Sequence, residues 1–274
     1  MPARPQDAAL FHRLHAGPEL LVLANAWDAQ SAKVIERAGA RAIATSSAAV
    51  AWAHGYGDGH QLPVARLVET VSAIARVVAV PVSVDVEGGY SDEPTTVAEN
   101  VGAVIEAGGI GINIEDGTGT PDLLCRKIEA VRATASRAGV DLFVNARCDV
   151  YLHRPQDGQV ALAETLARAK AYREAGASGF FVPGLIDLHA IGEIVRGAAL
   201  PVNVMARKGL AAVADLRGAG VRRLSAATGI SRVAYGAAGR AAQAFLADGD
   251  SDALAEAIGP PVDYQALFPP PAKG

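Results

Sequence analysis

Pro81-Val82-Ser83-Val84-Asp85-Val86-Glu87-Gly88-Gly89-Tyr90 is the stretch on which the fold turns. It opens as an apolar, β-branched run of the kind found in strands buried on both faces, and closes on two carboxylates one residue apart, followed by two glycines. Side chains alternate along a strand, so Asp85 and Glu87 are expected on one face, where they repel each other unless a cation lies between them. Mg²⁺ suits such a pair, because it takes oxygen ligands, keeps several waters and needs only one or two protein carboxylates. The alternative is a pair of solvated carboxylates at a strand end.

The same pattern recurs on both sides of this stretch: a short β-branched run, a polar or small-residue loop, a helical segment rich in Ala, Glu and Arg, then Gly. Strands are expected at 21–25, 42–46, 82–87, 111–115, 142–147, 179–182, 202–205 and 223–226. Helices are expected at 7–17, 28–38, 63–77, 95–107, 121–138 and 160–175, with Gly39, Gly108, Gly139 and Gly176 placed to end helices in the left-handed conformation. Alternating strands and helices imply parallel strands with right-handed crossovers, and eight evenly spaced units fit a closed (β/α)8 TIM barrel better than an open doubly wound sheet. Residues 1–247 are expected to form the barrel, and 248–274 a C-terminal extension with a helix at 252–258. That extension includes the Pro-rich segments Gly259-Pro260-Pro261 and Pro269-Pro270-Pro271.

The chain has 274 residues, half of them hydrophobic, and a net charge of -4, enough for one large core. No basic run suited to tracking phosphates is present, so nucleic acid is not an expected partner. No apolar run reaches the length of a membrane span and the N-terminus lacks an apolar signal core, which makes a cytoplasmic protein without membrane association the expectation. Cys125 and Cys148 lack metal-ligand spacing and are read as reduced thiols.

In a barrel of this kind, catalytic groups sit at the C-terminal ends of the strands. Those ends carry Asn25 and Trp27, then Thr45, Ser46 and Ser47, then a loop with Trp52, His54, Tyr56, Asp58 and His60. Further along come Asp85 and Glu87; Asn113, Glu115 and Asp116; Asn145, Arg147 and Asp149; Asn203; and Ser225 and Thr228. So many acids on one rim of a hydrophobic barrel would be costly without a cation.

With these residues in this order, the chain resembles the isocitrate lyase/phosphoenolpyruvate mutase superfamily from about residue 21 to residue 246. The resemblance rests on Ala-Thr-Ser-Ser at 44–47, Gly-Tyr-Gly-Asp ending at Asp58, Asp85-Val86-Glu87-Gly88-Gly89-Tyr90, Asn-Ile-Glu-Asp at 113–116 and Asn-Ala-Arg at 145–147. It implies a Mg²⁺ site and a small 2-oxo or 2-hydroxy acid substrate whose C–C or P–C bond is made or broken through an enolate. It also implies Asp85 as the main metal carboxylate, with Asp58, Glu87 and Glu115 acting directly or through metal-bound water. Ser46 with its neighbours Thr45 and Ser47 would hold the substrate carboxylate, and Trp27, Asn113, Asn145 and Asn203 would complete the substrate site. Arg147 would stabilise enolate or carboxylate charge, with Asp58 as the base. A homo-oligomer, dimer or tetramer, is the implied assembly.

The segment after the fourth strand is Gly117-Thr118-Gly119-Thr120-Pro121, without the Lys, Cys or His that the lyase branch carries there, and Cys125 follows inside a helix. Asn113 stands where lyases often have His, and Pro183 where phosphonate chemistry uses a basic residue. Decarboxylation or retro-aldol cleavage demands least of the missing groups. The expectation is therefore a Mg²⁺-dependent lyase cleaving a C–C bond of a small 2-oxo or 2-hydroxy (di)carboxylic acid. The alternatives are a P–C or C–C hydrolase or mutase and a silent 2-oxo acid binding protein.

Overall fold

The computed structural model describes residues 2–153, 158–258 and 262–268. Helix α1 (Pro5–Ala16) leads into β1 (Leu21–Leu23) and β2 (Asn25–Ala26), followed by α2 (Ala29–Arg37), β3 (Ile43–Thr45), α3 (Ser47–Ala53) and α4 (Val64–Val77). Next come β4 (Val82–Asp85), α5 (Pro94–Glu106), β5 (Gly111–Glu115), α6 (Pro121–Arg137), β6 (Phe143–Arg147), α7 (Val150–His153) and α8 (Gly158–Glu174). The chain continues through β7 (Gly179–Val182), α9 (Leu188–Ala198), β8 (Val202–Met205), α10 (Val213–Gly218), β9 (Arg223–Ser225), α11 (Gly229–Asp248), α12 (Ser251–Ile258) and α13 (Tyr264–Leu267).

All strand pairs are parallel, in the order β1-β9-β8-β7-β6-β5-β4-β3-β2. Since β1 and β2 are separated only by Ala24, they are two pieces of one barrel position, and the sheet closes into the expected (β/α)8 barrel. Buried Val, Ile, Leu and Ala from the strands and inner helix faces form one continuous core, as doubly covered parallel strands require. Among the described residues no helix is long and apolar enough to cross a membrane.

Two features position the site. Helix α1 stoppers the N-terminal end of the barrel: Phe11 meets Phe143 edge-on at 5.3 Å, and His15 stacks on the same ring at 4.0 Å. Inside, β4 to β7 align Asp85, Asn113, Asn145 and Gly179 in register, so a layer of polar side chains crosses the barrel below its C-terminal rim. Gly179 has no side chain because Asn145 needs the room: a Cβ there would lie 2.8 Å from Asn145 Oδ1 and 2.9 Å from the Phe143 ring.

The expected strands and helices are present with their ends shifted by a residue or two, further helices lie at Val150–His153, Leu188–Ala198, Val213–Gly218 and Tyr264–Leu267, and three differences bear on the site. The 82–87 strand stops at Asp85, and Glu87 turns into the left-handed region at φ 51°. Residues 47–53 are helical, capped by Ser46, so the loop expected from Trp52 begins only after Ala53. The first strand breaks at Ala24. The Pro-rich segments 259–261 and 269–271 lie outside the described residues.

Candidate active site

The cleft at the C-terminal rim has a volume of about 180 Å³ and is lined by Asn25, Ser46, Ser47, Asp58, Asp85, Asn113 and Arg147, with Phe181, Pro183, Met205, Ser225 and Thr228 opposite. Its size suits an acid of a few heavy atoms, well below the space of a nucleotide pocket.

Asp85 is its best-defined acid. Thr45 Oγ1 accepts the Asp85 backbone N–H at 2.9 Å, while the Ser47 N–H and hydroxyl donate to Asp85 Oδ2 at 3.2 and 3.0 Å. The other oxygen, Oδ1, is buried without a partner. Glu87 does not share a strand face with Asp85, because the strand has ended. Instead its Oε2 accepts the backbone N–H of His60, and its Oε1 is also buried and unpartnered. Burial pushes the Glu87 carboxyl above its usual range, and Asp58 and Asp85 push the same way, against the pull of His60. The Gly88 N–H donates to His60 Nε2 at 2.9 Å, which makes that nitrogen an acceptor.

Arg147 is the cation of the cleft. Its Nε and Nη2 grip Asp149 Oδ1 and Oδ2 at 2.6 and 2.9 Å, a bidentate pair, and Nη1 lies 2.5 Å from Glu115 Oε2. Glu115 is displaced above the usual carboxylate range: burial outweighs the attraction of Arg147, and Asp85, Asp149 and Glu87 add repulsion. Asp149 is anchored in turn, its N–H donating to Asp116 Oδ1 at 2.9 Å. Asp116 Oδ2 accepts from Tyr172 Oη at 2.5 Å and Arg168 Nη1 at 2.7 Å, which ties the arginine's platform to α8.

The expected site residues therefore separate into groups. Ser46, Ser47, Asp58, Asp85, Asn113 and Arg147 line the cleft together. Thr45, Asn145 and Asn203 lie buried beneath it: Asn145 Nδ2 donates to Asn113 Oδ1 at 2.9 Å, and Asn203 Oδ1 accepts from Ser225 at 3.0 Å. Glu115 lines a neighbouring pocket of about 310 Å³ with His60, Asp92, the 117–120 loop and Lys127. Trp27 lies outside the cleft, packed on Tyr235 of α11 at 5.8 Å. His54 is taken up by Thr70, at 2.8 Å. Asp149, Asp116, Arg168 and Tyr172 form the support that the sequence reading did not assign; only strand-end placement hinted at the two acids, and nothing local marked the two α8 residues.

What the structure offers a divalent cation is a pair of carboxylates, Asp85 and Glu87. Among the described residues no group of three or more His, Cys, Asp or Glu side chains is arranged to hold a metal ion. Orphaned, buried carboxylate oxygens on Asp85 and Glu87, with the exposed Asp58 nearby, instead provide the sparse oxygen set that Mg²⁺ accepts while retaining water.

Proteins to which this chain is similar are described as lyases, a decarboxylase and a mutase. A Burkholderia cenocepacia protein described as a candidate phosphonomutase superposes with a TM-score of 0.83 at 41% identity, over 87% of this chain and 99% of its own. An uncharacterized Mycobacterium tuberculosis protein is 37% identical over 88% of this chain and 90% of its own. A 2-methylisocitrate lyase of Aeropyrum pernix is 28% identical over 67% of this chain and 60% of its own, and an oxaloacetate decarboxylase of Pseudomonas savastanoi is 26% identical over 53% and 50%. The profile of the phosphoenolpyruvate phosphomutase family matches residues 11–246, and the chain belongs to that family.

Proposed function

We propose that the protein is a Mg²⁺-dependent lyase that cleaves a C–C bond of a small 2-oxo or 2-hydroxy (di)carboxylic acid through an enolate. The observation that carries this reading is the pairing of orphaned Asp85 Oδ1 with Arg147, an arginine fixed on two carboxylates, in one small cleft. Asp85 and Glu87 would hold the ion, with water filling its other positions, and when bound it supplies Lewis-acid polarisation of the substrate's oxygens. Ser46, Ser47 and Asn113 hold the substrate carboxylate. Arg147, held by Asp149 and Glu115, keeps a fixed planar donor beside the oxygen on which the electron pair of the broken bond comes to rest. Asp58, exposed at the mouth, takes the hydroxyl proton in a retro-aldol cleavage; in a decarboxylation CO₂ leaves and water returns a proton to the carbon.

A phosphonate reading is favoured by the Burkholderia relative's description. Against it, Arg147 is the one cation lining the cleft among the described residues, and Pro183 lies where a second would help with a phosphonate's extra charge. Chelator-treated protein given back Mg²⁺ would be incubated with oxaloacetate, 2-methylisocitrate, 2,3-dimethylmalate and phosphonopyruvate, following pyruvate, oxalate and inorganic phosphate. Mg²⁺-dependent pyruvate without phosphate supports the lyase. Phosphate release moves the assignment to P–C chemistry, and acid binding without turnover leaves a binding protein.

A further inference from the structure

Arg223 is the largest fully buried side chain of the described residues, 1% exposed, and no carboxylate lies within ion-pair distance of it among them. An unpaired guanidinium inside a barrel is costly to bury, so what it holds in place matters. It starts on β9 and ends on β5, four places away in an eight-place ring, so the side chain spans the interior. Arg223 Nη2 donates to Asn113 Oδ1 at 3.3 Å, and Nε donates to Ser225 Oγ, also at 3.3 Å. Both acceptors line the cleft.

The consequence for Asn113 follows from its chemistry. A side-chain amide has one acceptor and one double donor, and its orientation is set by its partners. Asn113 Oδ1 already accepts from Arg223 and from Asn145 Nδ2, and no acceptor within the described residues takes its Nδ2. The carbonyl is thereby pinned inward, and the NH₂ group is left for the cleft. Burial lowers the Arg223 pKa to about 10 while Asp85 opposes the shift, so the anchor keeps its charge at neutral pH.

We propose that Arg223 is a positioning residue: from beneath the cleft it fixes Asn113 so that the floor offers an uncharged double donor to a carboxylate or enolate oxygen of the substrate. The donor role rests on the acid-binding reading above; the link between Arg223 and Asn113 does not. An uncharged floor donor also suits a site with a metal, since it binds an anion without repelling the cation.

The test has two arms. In the first, oxalate is titrated calorimetrically in Mg²⁺ into the native chain, Arg223→Met, Asn113→Ala and the double variant. Arg223→Met and Asn113→Ala are each expected to weaken oxalate at least tenfold, the double variant no further than Asn113→Ala, and Arg223→Lys to recover part of the loss. Losses that multiply in the double variant, or an Arg223→Met chain that binds like the native one, overturn the proposal while leaving the acid site standing. A native chain that binds no oxalate overturns the acid-binding reading and the donor role together. In the second arm, without ligand, Asn113→Asp places a carboxylate against Arg223. It is expected to raise the unfolding midpoint in the native background and to lower it beside Arg223→Met. An equal effect in both backgrounds refutes the link itself.

Discussion

Asp149→Asn isolates what holds Arg147. The Asp149 side chain is 4% exposed and makes two charge-assisted hydrogen bonds, at 2.6 and 2.9 Å, to the same guanidinium. The amide can keep one acceptor, now neutral, and turns an NH₂ group toward the other guanidinium nitrogen. Losing one partner of a buried pair costs about 3–5 kcal/mol, and the surviving contact together with Glu115 places this case near the lower figure, ~3 kcal/mol. A chain of this length unfolds with an entropy of roughly 0.6 kcal/mol/K, so the midpoint should fall by about 5 °C. Differential scanning calorimetry at pH 7 reads this directly, and oxalate titration in Mg²⁺ reads the second effect, a weakened acid site with an arginine held from one side only. A midpoint within a degree of the native chain would refute the reasoning, because it would mean that the bidentate pair contributes nothing net.

Three further outcomes follow. Mg²⁺ at a hundred times its Kd should stabilise the native chain by about 2.7 kcal/mol, a shift of about 4–5 °C, and Asp85→Asn should lose most of that shift while still accepting from Ser47; an undiminished shift removes Asp85 from the ion site. Burial, aided by Arg223, lowers His15 to about 3, so the unfolded chain binds the proton that the folded chain refuses below pH 6.5. Stability tied to His15 is therefore present above pH 6.5 and lost as pH falls, by about 2 kcal/mol at pH 5, and the native-minus-His15→Phe difference in midpoint should shift accordingly between pH 7 and 5. Gly179→Ala would drive a methyl into Asn145 and the Phe143 ring, costing about 1–3 kcal/mol and weakening oxalate through the displaced amide layer; an unchanged midpoint and affinity would show that the interior has slack.

The barrel was legible because its evidence is periodic: β-branched runs and helix-ending glycines repeat, and closure follows from counting them. The rim was legible because strand ends are where polar residues interrupt apolar runs. What the sequence hid was direction. Asp85 and Glu87 share a face only while the strand lasts, and it stops at Asp85, so they reach the site by different routes. Trp27 follows a strand end, yet Asp28 caps α2 through Ser31, and the indole packs on α11 instead. Arg223 could have been found: the alternation that points Ser225 inward points Arg223 inward too, but an arginine near the start of a strand reads as a surface residue until its burial is seen. The Asp116 to α8 tie brings together residues some fifty positions apart in sequence, which no local pattern records.

The barrel closes by pairing Leu21, Val22 and Leu23 with Arg223, Leu224 and Ser225. In a cell this is also a matter of timing. The first strand leaves the ribosome about two hundred residues ahead of the partner that completes it, an interval of roughly ten to forty seconds at 5–20 residues per second. Through that time its free hydrogen-bonding edge has no native neighbour on one side, and the loop closed last is among the longest the chain can form. The broken strand at Ala24 keeps that waiting edge short, two or three residues at a time, which makes it a poor template for pairing with other nascent chains.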